Sequence, residues 1–283
     1  AYLQDCISNS GHRLADDFRN LWPYSYVNQS AGRIVLPWAD REDDPDTEVD
    51  ESIHLKWVGQ DGHSPTYGRG NYETMFVQRF SFGDWGWGQQ YNNRLCLFGG
   101  IRGNGGLQPF GEGWGWFTVN PQLWENWDNN DPRKVGSILE LGQADQGTEG
   151  FELKDNIDHH TGFLNKKYTS LQYNNGEMKG LFNYVYGWPN TDMQLRHVQD
   201  FILMRFADVL LMHSEITETA EGINTVRARA GLAPVGYSLE NLKKERMHEL
   251  AFEGLRWFDL VRWGDVNTAF NYTITVKNAG PVD

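Results

Sequence analysis

The rhythm of apolar and polar positions changes twice along the chain, and each change predicts a different kind of structure. Over the first twenty or so residues Leu3, Ile7, Leu14 and Phe18 recur on a rough helical period, which predicts helix through about Asn20. Ile34-Val35-Leu36 is a short strand candidate. From Gly59 to Asn130 no period is sustained. Glycine, aromatic, Asn and Asp residues dominate there, the pattern of long ordered loops with short strands. Loops of that length inside a compact domain usually carry function.

From Asp200 onward the helical rhythm returns. FILMRFADVLLM, Phe201 to Met212, predicts a buried helix running to about Thr217. Arg205 and Asp208 interrupt it, and it is too short to span a bilayer. A second helix, Glu221 to Ala230, puts Ile223, Val226 and Ala230 on one face, and Gly231 with Pro234 ends it. Ser238 can cap a third through Glu253, with Gly254 as its terminating glycine. A short amphipathic helix, Leu255 to Trp263, follows. Consecutive helices of this length resemble an array of helical-repeat hairpins.

Composition narrows the function classes. The chain has 283 residues, 39% of them hydrophobic, enough to bury a core. A net charge of −13 argues against nucleic acid and against attraction to anionic lipid, since both need a cationic surface. Cys6 and Cys96 have no CxxC spacing and are too few for a disulfide framework. Ala1 to Asp5 show neither the basic nor the apolar part of a signal peptide, so Cys6 does not read as a lipid acceptor. More telling are 12 Trp, 12 Tyr and 31 Gly in so acidic a chain. Exposed tryptophans cost solubility unless they bind something. Trp- and Gly-rich loops suit sugars, whose apolar ring faces stack on indoles, although many of these rings are expected in the core.

Metal chemistry is tested by three stretches. His248-Glu249-Leu250-Ala251 is most of the zinc-protease motif HExxH, but the second imidazole is missing because position 252 is Phe252. Asp158-His159-His160 and Asp128-Asn129-Asn130-Asp131 read as solvated loop and turn chemistry. ADREDDPDTEVDES, residues 39 to 52 with eight acids, lacks the glycine and spacing of an EF-hand loop. Glycines 99, 100, 103, 105 and 106 match no phosphate-binding motif. The expectation is no metal and no cofactor.

The ligand site is expected in residues 67 to 116, around GDWGWGQQYNNR and GEGWGWF. Trp85 with Trp87, and Trp114 with Trp116, sit two apart with glycine between. In extended backbone such pairs project from one face and make a platform about 7 Å long. Asp84, Arg94 and Arg102 are candidates to bond sugar hydroxyls, with Tyr67, Tyr72 and Tyr91 as further platforms. The competing reading packs GWGW inward as core.

Glu245, Glu249 and Glu253 stack three carboxylates on one helical face, a repulsive arrangement unless it is paired. Arg256, Asp259 and Arg262 form a second ladder. The two ladders are expected to pair with each other and with Arg227 and Arg229 as a structural network. Acids so placed have depressed pKa values, unsuited to a general acid in glycoside hydrolysis.

The run Glu245-Arg246-x-x-Glu249-Leu250-x-Phe252-Glu253-Gly254-x-Arg256-Trp257-x-Asp259-Leu260-x-Arg262-Trp263-Gly264 resembles the C-terminal signature of the SusD/RagB family. Arg205-Phe206-Ala207-Asp208-Val209-Leu210-Leu211-Met212 with Glu215 resembles that family's "RYADVLLMYAEA" helix. Ile223-Asn224-x-Val226-Arg227-x-Arg229-Ala230-Gly231-Leu232 resembles its "INxVRxRAGL" segment, and Asp131-Pro132-Arg133 its D-P-R element. Together they cover residues 120 to 264.

The resemblance implies a mainly α fold with a loop-rich α+β part: a tetratricopeptide-type helical scaffold carrying an irregular ligand-binding region. On that plan residues 1–30 end a helical-repeat part, 31–199 form the loop-rich part and 200–283 the C-terminal scaffold. The whole would be the C-terminal portion of one domain, with the N-terminal part missing. The implied function is a non-catalytic outer-surface lipoprotein that binds glycan and delivers it to a SusC-like TonB-dependent transporter. Its membrane attachment would be an N-terminal lipid anchor outside this chain. A secreted glycoside hydrolase, a peptide-binding protein of the same family, and a helical scaffold for protein partners are the alternatives.

Overall fold

The computed structural model describes residues 1–27, 71–80, 92–100, 110–111, 113–141, 161–173, 179–185 and 197–274. The chain begins with α1 (Tyr2–Asn9), a 3-10 turn (Phe18–Leu21), α2 (Tyr24–Val27) and β1 (Thr74–Gln78). Its middle holds α3 (Arg94–Gly99), α4 (Pro121–Glu125), α5 (Pro132–Ser137), β2 (Ile138–Glu140), β3 (Phe163–Asn165), β4 (Gln172–Tyr173), β5 (Lys179–Gly180) and α6 (Leu181–Val185). The last part contains β6 (Phe201–Arg205), α7 (Phe206–Thr217), α8 (Glu221–Arg229), α9 (Leu239–Glu249), α10 (Arg256–Trp263) and α11 (Val266–Ala269). The described strands pair two by two and antiparallel: β1 with β6, β2 with β3, β4 with β5. The fold is mainly helical with small sheets, as expected. The strand candidate at 34–36 and the acidic stretch 39–52 lie outside the described residues.

The helical end is built as its sequence predicts. Ile223 and Val226 of α8 are fully buried against Phe206, Leu210 and Leu211 of α7, with Leu242 of α9 joining them. The α7–α8 contact is close because Gly222 has no side chain: a Cβ there would lie 2.0 Å from the Leu210 carbonyl oxygen. The Ile223 amide donates to Ser214 Oγ at 3.1 Å across the same contact. Ser238 caps α9 by accepting from the Asn241 amide at 3.0 Å.

Three boundaries differ from expectation. The first helix stops at Asn9. Residues 11–15 then carry the chain across the molecule, so that the Ala15 amide donates to Glu73 Oε2 at 2.6 Å. Phe18, Leu21, Trp22 and Tyr24 enter a second core with Cys96, Phe110, Leu164, Tyr168 and Leu171. Residues 201–205 are strand, because β1 pairs with them through Phe76↔Met204 and Val77↔Ile202. The third helix ends at Glu249, four residues early. The Glu249 carbonyl accepts from Arg205 Nη2 at 2.6 Å and Lys167 Nζ at 3.1 Å, which replace the amide a further turn would supply.

Those cations belong to a buried charge network that joins the two parts. Asp131 accepts from the Arg133 amide at 3.0 Å, capping α5, while its carboxylate grips the Arg133 guanidinium at 2.8 Å. Arg133 Nη1 reaches Glu245 at 2.5 Å and Glu249 at 2.9 Å. Arg205 bonds Glu73 at 2.7 Å, Glu249 at 2.5 Å and Glu253 at 2.7 Å. Arg229 adds bonds to Glu73 and Glu249, and Lys167 one to Glu253 at 2.7 Å. The three stacked carboxylates are therefore paired, with Arg229 as expected and also with Arg133, Arg205 and Lys167, which were not expected. Arg227 makes a longer contact of 3.2 Å to Glu245. The second ladder forms a separate cluster: Arg246 bonds Asp208 at 2.7 Å and Asp259 at 2.8 Å, and Arg262 bonds Asp259 and Glu215. Arg256, expected to pair with the stack, is exposed and forms no salt bridge among the described residues.

The charge states follow. Burial alone would raise the Glu249 pKa, but Arg229, Arg205 and Arg133 outweigh it and hold the carboxyl well below its usual range. Glu253 is lowered in the same way by Arg205 and Lys167 against the opposing effect of burial. Glu245 departs from expectation: burial wins there over Arg133, and its pKa is raised. Lys167, fully enclosed, is pushed down to about 8 by burial despite Glu253.

Candidate functional site

Of the expected ligand-site residues, Tyr67, Asp84, Trp85, Trp87, Tyr91 and Arg102 lie outside the described residues. Tyr72, Arg94, Trp114 and Trp116 are described, and they separate into two places. Tyr72 is half-buried against the core near β1, with the Arg13 guanidinium 3.9 Å above its ring. The other three gather along α3.

Asn93 starts α3 by accepting from the Leu95 amide at 3.0 Å, and Arg94 is the first helical residue. Six residues later the helix stops, and residues 113–116 lie across its carboxyl end. Trp114 N–H donates to Leu97 O at 2.9 Å, Trp116 N–H to Phe98 O at 2.8 Å and Gly115 N–H to Gly100 O at 2.8 Å. The carbonyls that a helix terminus leaves unsatisfied are thus met by the GWGW segment itself. The approach demands glycine: a Cβ on Gly113 would lie 2.4 Å from Leu97 O. The layer behind is the 168–171 segment, where Gly111 N–H donates to Ser170 O at 2.7 Å and Phe110 bridges Leu171.

This backbone sets four rings together. Phe98 and Trp116 stack with centroids 4.8 Å apart and planes 13° from parallel. Trp114 lies 4.9 Å from Trp116 at 58° and 5.2 Å from Phe98. Phe117 stands at 87° to Phe98, at 6.3 Å. Trp116 is 60% exposed, Phe117 40%, and Trp114 half-buried. The expected flat platform, about 7 Å long with both indoles on one face, is not what forms. Gly115 has φ +67°, a left-handed turn that breaks the extension and tilts the second indole against the first. Nor is GWGW an inward-facing core strand. Phe98 and Phe117 were not singled out by sequence reasoning; the aromatic–glycine density of LCLFGG and GWGWF is the only signal that marks them.

The remaining chemistry of these surroundings is structural. His248, from the near-HExxH motif, stacks on Trp127 at 4.4 Å and 9°, and burial with Arg133 nearby pushes its pKa down to about 3. Its neighbour Glu249 is the centre of the charge network. Among the described residues no group of His, Cys, Asp and Glu is arranged to hold a metal ion. The Asp158-His159-His160 cluster is not among them. Asp131 of the 128–131 stretch is the helix cap described above. Cys6 and Cys96 are free thiols.

Comparison with known proteins agrees with this architecture. SusD-like protein P2 of Formosa agariphila is 27% identical over 198 residues, 62% of this chain and 36% of that protein. Surface glycan-binding protein A from Bacteroides fluxus superposes with a TM-score of 0.62 at 22% identity, over 97% of this chain and 50% of that one. A laminarin-binding SusD-like protein gives 0.63 at 21% identity, over 98% and 53%. The chain thus spans between about a third and a half of the length of these relatives. Residues 119–281, a span that begins just after GWGWF and includes the charged helices α9 and α10, match the SusD family, and the chain belongs to that family.

Proposed function

We propose that the protein is a non-catalytic glycan-binding protein of the cell's outer surface, and that the ring cluster of Phe98, Trp114, Trp116 and Phe117 is part of its binding face. The observation that carries this reading is Trp116, a large indole 60% exposed yet fixed in orientation by stacking on Phe98. An exposed ring of that size costs solubility unless a ligand covers it. A ring already held in place loses little entropy on binding. A pyranose offers the matching chemistry, with C–H groups on its face for the indole and hydroxyls on its rim for polar groups, among which Arg94 at the start of α3 is the proposed one. Two structural neighbours bear names that say they bind glycan, one of them laminarin, which makes laminarin the first probe.

The acids support a binding role over hydrolysis. Glu249 and Glu253 are buried, ionised and held by arginines, where they can neither reach nor protonate a glycosidic oxygen. Trp85 with Trp87, Tyr67, Tyr91, Asp84 and Arg102 are proposed as further contacts from the same stretch of sequence. Delivery of the glycan to a SusC-like TonB-dependent transporter, with a lipid anchor outside this chain, is the role the family resemblance suggests. A glycan array followed by calorimetry on the full-length protein tests the binding function. Saturable binding without release of reducing ends is the expected result; no binding to any glycan, or hydrolysis, overturns it. Co-purification of a SusC-like barrel from outer membranes tests the partner.

A further inference from the structure

The cluster's two most exposed rings do not face the same way. Trp116 is within 13° of parallel to Phe98, while Phe117 stands at 87° to that same ring. Trp116 and Phe117 are therefore close to perpendicular, though they are consecutive residues. Neither ring is positioned by chance: the Trp116 amide is fixed on Phe98 O, and the Phe117 ring lies beside Gly99, its Cδ2 3.5 Å from where a Cβ would stand, while the absent side chain lets the Tyr168 carbonyl approach from behind. A sugar that stacks on one ring presents its edge to the other. To lay sugar faces on both, a glycan must turn its ring plane by nearly a right angle between the two contacts.

Resting on the glycan reading above, we propose that this corner selects glycans whose backbone turns between neighbouring sugars, and discriminates against flat ribbons. In a β-1,4-linked gluco- or manno-chain successive ring planes stay nearly parallel, because each half-turn about the chain axis restores the plane. Such a chain stacks on Trp116 and leaves Phe117 uncovered. A 1,3-, 1,6- or α-1,4-linked chain rotates the plane at each linkage and can cover both. Phe117 is then the specificity-determining residue and Trp116 the common platform.

The test uses the full-length protein on an array of hexasaccharides grouped by linkage, with laminarihexaose and cellohexaose as the calorimetric pair. Wild type should favour the best turning glycan over the best flat one by about tenfold or more. Phe117→Ala should erase most of that preference by weakening the turning ligand alone, and Phe117→Tyr, which keeps the ring, should restore it. Trp116→Ala should weaken every glycan that binds. Thermal melting of each variant shows whether the fold is intact; should Phe117→Ala be misfolded, Phe117→Leu replaces it with the same expectation. A flat chain as the best ligand, or a preference unchanged in a folded variant that lacks the ring, overturns the proposal while leaving the glycan reading standing. Absence of binding to every glycan overturns both.

Discussion

The charge network and the ring cluster invert the usual placement of their residue types. Arg133, Arg205, Glu73, Glu245, Glu249 and Glu253 are sealed at 2% exposure or less, while Trp116 and Phe117 stand at 60% and 40%. Charged residues make the frame and aromatic residues make the surface. A buried ion network is costly to assemble and worse to leave incomplete, so it fixes one arrangement of the segments that bring the charges. An exposed ring stabilises little, so its persistence is better explained by what it touches. The two are linked through residues 167–171, where Lys167 is tied to the network and the Tyr168 carbonyl backs onto Gly99 beneath the rings.

Removing the centre of the network should give the largest effect. Glu249→Ala leaves Arg133, Arg205 and Arg229 each short of a partner in the interior, and breaking a buried pair this way costs about 3–5 kcal/mol. We expect misfolding or a steep fall in melting temperature. A variant as stable as wild type that fails only in glycan binding would mean the frame had been mistaken for a site.

Acid should attack the frame next. His248 and His197 have pKa values lowered by burial to about 3 and about 4, whereas the unfolded chain titrates near 6.5. Below that value the unfolded state binds the extra protons, so stability present above pH 6.5 is lost as pH falls towards 4, at about 1.4 kcal/mol per pH unit per histidine. Denaturant melts between pH 4 and 7 measure this. His248→Phe, which keeps the stack on Trp127, should flatten part of the slope; an unchanged slope would show that His248 is not neutral in the fold.

At the rings the signs reverse. Trp116→Ala should weaken glycan binding by about 1–3 kcal/mol, by analogy with base–aromatic stacking, and leave the melting temperature close to wild type. Calorimetry paired with thermal melting reads both. Lost stability with unchanged affinity would make the ring part of the frame and erase the contrast.

The smallest effect is expected at Arg256. It carries a signature position, yet it is exposed and outside both charge clusters, so Arg256→Ala should change stability by less than about 0.5 kcal/mol. A melting curve that shifts as far as that of Glu249→Ala would show that the network extends through α10.

The helices from 206 to 263 were legible because helix formation is local: apolar spacing, the Ser238 cap and terminal residues act within a few positions. The stack of Glu245, Glu249 and Glu253 was legible for the same reason, as was its need for partners. Arg227 and Arg229 were legible as partners, and both pair with it; the partners distant in sequence were not. Arg133 lies 112 residues from Glu245 and Arg205 lies 44 from Glu249, and only the folded chain brings them into reach. That long-range pairing also ended α9 early, and the pairing of β1 with β6 made a strand of an apolar run whose period fits a helix equally well. In the loop-rich part the sequence by itself determined that tryptophans and glycines crowd together, which is why a ligand face is expected there. Tertiary structure alone decided how the rings face. The left-handed Gly115, the carbonyls at the end of α3 and the half-buried Phe98 set their angles, because ring orientation depends on contacts between segments and no local period encodes it.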